Sequence, residues 1–319
     1  MPIAQDLKHA RSHLRVCAST LNAWESVLGG SNPPPCTKIQ SNHTMRNLIT
    51  GVEYAITGDS IRANLSGYHR GPAPRDLSTT PWAVDTIGVR KDLILPQWES
   101  KFTLGMEVEK NFIETSEIRE YALFKGFEQD ASCGVEAITN ILPLLPESRW
   151  RDKVFGMMDE ASPVLNAYDR DRDSRGQFKC GGHITLGMRG VDGTALLGAM
   201  RPMGGLIMSL YHKRLENSYC NENQRLSSHY HGSRYQVALV KGNLLEWRIF
   251  SKVSNVETMK QRYELCFAML EECQVLGSLE SLVARKDVKD ILLRMYDGDR
   301  SKVTECVKRA RIIQRDIIG

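Results

Sequence analysis

The stretch that most limits how this chain can fold is Thr103-Leu104-Gly105-Met106-Glu107-Val108-Glu109. Side chains on a strand alternate between faces, so the spacing predicts Glu107 and Glu109 on one face and Met106 and Val108 on the other. Two carboxylates roughly 7 Å apart on one strand face repel unless a cation or a proton lies between them. A divalent metal is the simplest remedy. Polar and apolar residues alternate again at His183-Ile184-Thr185-Leu186 and at Leu245-Glu246-Trp247-Arg248-Ile249. Three strands are thus expected to offer acid, imidazole and guanidinium to one surface.

At 319 residues, with 41% hydrophobic and 25% charged residues, the chain is long enough and apolar enough for a sizeable core. A formal net charge of +4, with basic and acidic residues interleaved, gives no sign of nucleic-acid binding. The eight cysteines form no C-x-x-C pair, so reduced thiols in a cytoplasmic protein are expected rather than a disulfide frame or zinc ribbon. No signal peptide and no membrane span are expected, because no uncharged apolar run approaches the ~20 residues that a span requires.

The organisation expected is an N-terminal helix and extended arm over residues 1–95, followed by a catalytic domain over 96–319 with C-terminal packing helices. Residues 3–28 read as an amphipathic helix, and Gly29-Gly30-Ser31-Asn32-Pro33-Pro34-Pro35 as its stop and a stiff linker. Periodicity is poor from Cys36 to about Gln97, which predicts an irregular arm that packs on the core or on a partner.

Farther on, a turn and a strand bearing Glu136 are predicted within 127–139, with Pro143 ending that strand, then a helix over 147–165. The aspartate-rich loop at 168–176 lacks the glycine and glutamate positions of a calcium-binding loop, leaving a solvated loop or a lid. Glycines 181 and 182 before His183 would let a ligand approach the backbone closely. Residues 192–217 read as largely helical, and Gly242-Asn243 as the two-residue turn of a hairpin. From Val256 onward the stripes Tyr263, Cys266, Met269, Leu270 and Val303, Cys306, Val307, Ala310, Ile313 read as packing helices.

The ordered series Gly105-Met106-Glu107-Val108-Glu109, Asp130-Ala131-Ser132 with Gly134-Val135-Glu136, Cys180-Gly181-Gly182-His183, Arg214 with Tyr219-Cys220, Arg234-Tyr235 and Leu245-Glu246-Trp247-Arg248 resembles the amidoligase family. These are carboxylate-amine ligases with a catalytic fold similar to that of glutamine synthetase. The likeness covers about residues 100–275. It implies an α+β fold with a curved antiparallel sheet backed by helices; nothing before about residue 96 is explained by it, and the irregular or helical N-terminal extension is read from the sequence alone.

It also implies ATP- and magnesium- or manganese-dependent formation of an amide or isopeptide bond through an acyl phosphate. By position in the motifs, Glu107, Glu109, Glu136, His183 and Glu246 would be metal ligands. His183, Thr185, Lys213, Arg214, Arg234 and Arg248 would contact the nucleotide or the substrate carboxylate. Arg248, Asp130 and Glu136 would serve the chemistry, Asp130 by positioning the attacking amine or by supporting a ligand.

Where Thr185 stands, the family typically has a second histidine, and a hydroxyl cannot replace an imidazole as a metal ligand. The alternative is a catalytically degenerate relative with a structural or assembly role through its N-terminal arm. A metal-dependent hydrolase or nuclease is a third reading, disfavoured by the lack of a dense basic track. The expected substrates are a small-molecule or protein-borne amine and carboxylate. Residues 1–95 are a possible contact for a homo-oligomer or an assembly partner.

Overall fold

A computed structural model describes residues 101–111, 113, 118, 121–130, 133–168, 180–230 and 232–319, together with the strand residues 43–46 and 53–56. The expected helix over 3–28, the proline linker and the aspartate-rich loop beyond Tyr168 lie outside the described residues. The strands β1 (His43–Arg46) and β2 (Glu53–Ile56) pair antiparallel, within the region expected to be irregular.

The centre of the fold is β3 (Phe102–Lys110), the strand that the alternating sequence foretells. Around it stand β4 (Phe124–Asp130), β5 (Gly134–Thr139), β6 (Leu142–Leu144), β7 (Gly182–Met188), β8 (Ala238–Lys241) and β9 (Leu244–Trp247). They form a seven-stranded antiparallel sheet in the order β4-β5-β3-β7-β9-β8, with β6 paired to β3. Phe102 to Leu104 pair with both β6 and β7, and Glu107 and Val108 with both β5 and β7, so β5 and β6 share one edge of β3. At the break between them the Met106 amide donates to the Thr139 hydroxyl at 2.9 Å, so a side chain completes the ladder where the strand is interrupted.

Two sequence expectations change here. β4 is a strand of its own, where a charged connection and a turn were expected. Pro143 does not end the Glu136 strand, which stops at Thr139; it lies inside β6, opposite Thr103. Proline is tolerated there because β6 pairs only with β3 among the described strands, leaving no ladder partner for the missing N–H.

The helices are α1 (Arg149–Glu160), α2 (Ser162–Leu165), α3 (Gly193–Met200), α4 (Gly204–Leu210), α5 (Val256–Gln274), α6 (Leu279–Ala284), α7 (Lys286–Met295) and α8 (Arg300–Ile318). Short 3-10 turns at Arg201–Met203 and His212–Glu216 flank α4. Five of these helices are capped by a side chain: those of Ser148, Asp192, Asn255, Ser278 and Asp299 accept backbone N–H groups at the first turns of α1, α3, α5, α6 and α8.

Strand parity then decides the layers. Leu104, Met106, Val108, Ile184, Leu186, Leu245 and Trp247 all turn to one face and join a single core with the helices. Each such side chain contributes about 1.5–3 kcal/mol when fully buried. The α5 stripe foreseen in the sequence covers this face. Phe267 meets Phe102 edge-on with ring centroids 5.9 Å apart, and the Tyr263 hydroxyl donates to the Pro143 carbonyl at 2.5 Å while accepting the Leu145 amide at 2.9 Å.

Lys110 also lies on this side, completely buried, with its ammonium donating to the Val253 carbonyl at 2.7 Å and the Ala167 carbonyl at 3.0 Å. The α4–α8 contact needs glycine: a Cβ on Gly205 would sit 2.5 Å from the Ala310 carbonyl, and the Gly205 amide donates to Gln314 Oε1 at 2.9 Å. No helix among the described residues is long and apolar enough to cross a membrane.

A candidate metal centre on one face of the sheet

The opposite face carries the chemistry. Register places Glu107 directly across from His183, Glu109 across from Glu136, and Thr185 across from Glu246. Residues from separate blocks of the sequence therefore share one surface because adjacent antiparallel strands keep the same parity. Two carboxylates directly opposed, as Glu109 and Glu136 are, destabilise a sheet unless something compensates them. Glu107, Glu109, Glu136 and Glu246 are all buried, Glu246 with 0% exposure. Buried carboxylates persist only when they are paired or hold a cation.

His183 is the hinge of the arrangement. Its Nδ1 lies 2.6 Å from Glu107 Oε2, and its Nε2 lies 3.5 Å from Glu109 Oε1. A neutral imidazole has one N–H, so one ring nitrogen faces a carboxylate with a lone pair unless the ring is protonated or a cation intervenes. Glu107, His183 and Glu246 form one group, and Glu109, Glu136 and His183 a second, with the ligand atoms of each within 4.8 Å of one another.

Cations of the protein surround these acids. Arg248 pairs with Glu246 Oε1, and Lys241 with Glu246 Oε2; the Lys241 ammonium also lies 4.0 Å from Glu107 Oε1. Arg214, buried on the second 3-10 turn, comes from below: its Nη2 stands 2.8 Å from where a Cβ of Gly181 would be, and Glu109 Oε1 3.3 Å from the same point. The Gly181 amide donates to Glu109 Oε2 at 2.5 Å. Gly182 is equally confined, since its Cβ would lie 2.8 Å from the Ser251 carbonyl. The glycine pair, read in the sequence as room for a ligand, makes room for the protein's own Arg214, Glu109 and Ser251.

Several buried polar atoms on this side have no hydrogen-bond partner among the described residues. They include the Thr185 hydroxyl oxygen and Arg248 Nε, and a third is Glu246 Oε2, which lies against the Lys241 ammonium without hydrogen-bond geometry. An unsatisfied buried polar group costs about 1–3 kcal/mol, so each of these atoms calls for a partner such as a water, an ion or a ligand.

The remaining expected residues fall farther out. Asp130 is half-buried at the end of β4, where its charge reaches Arg234. Arg234 is exposed, with its guanidinium 5.3 Å from the Tyr235 ring centroid and 3.4 Å from that hydroxyl. Lys213 is exposed on the same turn as Arg214, and no hydrogen bond or ion pair ties it to the acids among the described residues. Neighbouring positions on a 3-10 turn face different ways, so Lys213 and Arg214 cannot both reach the sheet.

Sequence reasoning missed Lys241, although its signal was present: a two-residue hairpin turn places residue 241 diagonally across from 246 on one face. It also missed the thiols at the rim. Asn111 Nδ2 donates to Cys180 Sγ at 3.0 Å and to the Cys133 carbonyl at 2.5 Å. Burial, and next the charge of Glu109, push the Cys133 thiol far above its ordinary range, so it stays protonated. Cys180 is likewise buried.

No family model matches the sequence, and no curated protein shows significant similarity to it. What the site can do is set by its geometry. A face with two overlapping carboxylate–imidazole groups, flanked by a guanidinium and a buried hydroxyl, offers a donor set for a metal ion.

Proposed function

We propose that this chain is an ATP- and metal-dependent carboxylate-amine ligase of the amidoligase type, built on a glutamine-synthetase-like core and acting in a reducing, cytoplasmic setting. The observation that carries the reading is the convergence of Glu107, Glu109, Glu136, His183 and Glu246 on one sheet face, with the unpartnered Arg248 Nε and Thr185 hydroxyl beside them. The six described cysteines are free, which fits a reducing compartment.

The donor set fits magnesium or manganese: carboxylate oxygens dominate and one imidazole is shared, with no thiolate among the ligand groups. Glu109, Glu136 and His183 would hold an ion on one side, and Glu107, His183 and Glu246 would hold a second on the other once the Lys241 ammonium has left the Glu107–Glu246 pair. A bound divalent ion would neutralise phosphate oxygens.

The protein's own groups would do the rest. Arg248, oriented by its ion pair with Glu246, would direct its remaining N–H donors at the γ-phosphate as it transfers to the substrate carboxylate. The Thr185 hydroxyl would donate to a phosphate oxygen. Arg214 would keep Glu109 in place. At the rim, Asp130 would accept a proton from the attacking amine, and Arg234 would meet a substrate carboxylate. The amine displaces phosphate from the acyl phosphate, leaving an amide or isopeptide bond. The substrates would be a small or protein-borne amine and carboxylate.

A second reading, a catalytically degenerate relative that assembles through residues 1–95, draws on Thr185 in the place of a histidine and on the Lys241 ammonium beside Glu246. The deciding experiment measures ADP formation with Mg2+ or Mn2+ across a panel of amines and carboxylates. Phosphate transfer that requires both substrates supports the ligase. Failure to bind nucleotide in the presence of Mn2+, together with oligomers that depend on residues 1–95, would replace it with the assembly protein.

A further inference from the structure

We propose that Lys241 is the resident cation of the Glu107–Glu246 carboxylate pair, so that a divalent ion enters the Glu107, His183, Glu246 group only when that ammonium is removed. The inference rests on the metal-holding part of the proposed function, and not on nucleotide chemistry.

The hairpin geometry sets the position. Lys241 pairs with Leu244 and Leu239 with Glu246, so Lys241 stands one diagonal step from Glu246 on the site face, within reach of a long side chain. The lysine is one third exposed, at 33%, while Glu246 is at 0%. A carboxylate that sees no water has to be compensated by groups of the protein. Arg248 hydrogen-bonds one oxygen, and the Lys241 ammonium pairs by charge with the other, which has no hydrogen bond among the described residues. The same ammonium lies 4.0 Å from Glu107 Oε1, so it lies between the two acids of the group.

An ammonium is a compact point charge with three donors and no coordination geometry. It can neutralise the two carboxylates as a metal would, and its charge repels a metal placed beside it. The neighbouring group is served differently. Glu109 takes the Gly181 amide and lies near Arg214, whose planar guanidinium comes from outside the sheet. A second observation points to the same place: the buried Thr185 hydroxyl, directly across from Glu246, has no hydrogen-bond partner among the described residues. The Glu107–Glu246 side is thus built for a cation and supplied with one from its own chain.

The test counts Mn2+ bound per chain, by the electron paramagnetic resonance signal of free Mn2+ during titration, with no nucleotide present. Lys241→Met and Lys241→Gln are each expected to bind one ion more than the wild type, and Lys241→Arg none more. Adding Glu246→Gln to Lys241→Met should abolish the extra ion, which locates it. Melting followed by circular dichroism shows that each variant is folded, and two neutral substitutions at a partly exposed edge position guard against one that is not. An unchanged count in the neutral variants, or an extra ion that survives Glu246→Gln, overturns the proposal. Absence of ATP-dependent ligation leaves this count untouched, so the two ideas fail separately.

Discussion

Glu107 on β3 and His183 on β7 face each other in register, with His183 Nδ1 2.6 Å from Glu107 Oε2, and the other nitrogen of the same ring reaches toward Glu109. One imidazole is therefore common to both carboxylate groups. Substituting His183→Ala should weaken Mn2+ binding more than about a hundredfold, beyond the 10–100-fold typical of a supporting partner. In the Lys241→Met background, where both groups are open, Glu136→Gln touches one group only and should cost less than His183→Ala. Isothermal titration with Mn2+ separates the two, and equal losses would show that the ring is not shared by the bound ion.

Arg248 and Glu246 form a largely enclosed pair. In the ligase reading, Arg248→Ala should reduce ADP formation about 10²–10³-fold, the scale of losing one donor aimed at developing charge. It should also destabilise the fold by about 1–3 kcal/mol, because Glu246 keeps its charge with fewer donors. Urea unfolding checks the second effect. The double variant with Glu246→Gln should recover part of the stability and none of the activity.

Gly181 and Gly182 are both crowded, by different things. Gly181→Ala meets the end of the Arg214 side chain, which can swing aside, so the site should suffer more than the fold. Gly182→Ala meets the Ser251 backbone carbonyl, which cannot swing. It should cost about 1–3 kcal/mol as an overpacked position and lower the melting temperature more than Gly181→Ala does. The reverse order in thermal melts would contradict these contacts.

Away from the site, Asp287 is held below the ordinary carboxylate range, first by its hydrogen bond to the Arg285 guanidinium, at 2.7 Å from Nη2. A carboxyl whose folded-state pKa is depressed adds stability above its unfolded value of about 3.9. That contribution is lost as pH falls through the lower folded value. Asp287→Asn should therefore lower stability across the neutral-to-alkaline range and converge on the wild type as pH falls below about 4, which flattens the acid limb of the stability curve. Denaturant melts across pH 2–7 measure it. A parallel downward shift at every pH would mean that packing, not charge, is what the side chain supplies.

Much of this molecule is local information. The alternation in 103–109 sets β3 and its two faces, the Gly242 turn with its φ of +60° sets the hairpin, and the apolar stripes set α5 and α8, because each depends on residues a few positions apart. The order of Glu107, Glu136, His183, Glu246 and Arg248 along the chain was enough to propose that they meet. β4, the true end of β5 and the place of Pro143 were less legible, since short strands are stabilised by their neighbours more than by their own sequence.

What only the tertiary structure decided is which residue stands opposite which. Register across separate strands joins Glu107 to His183 and Glu109 to Glu136, brings Arg214 beneath Gly181, turns Lys110 into the core and leaves Lys213 in solvent. Parity along a strand is a property of consecutive residues, so the sequence determined the two faces by itself. Pairing between strands is chosen by the burial of the whole sheet against its helices, which no single segment contains.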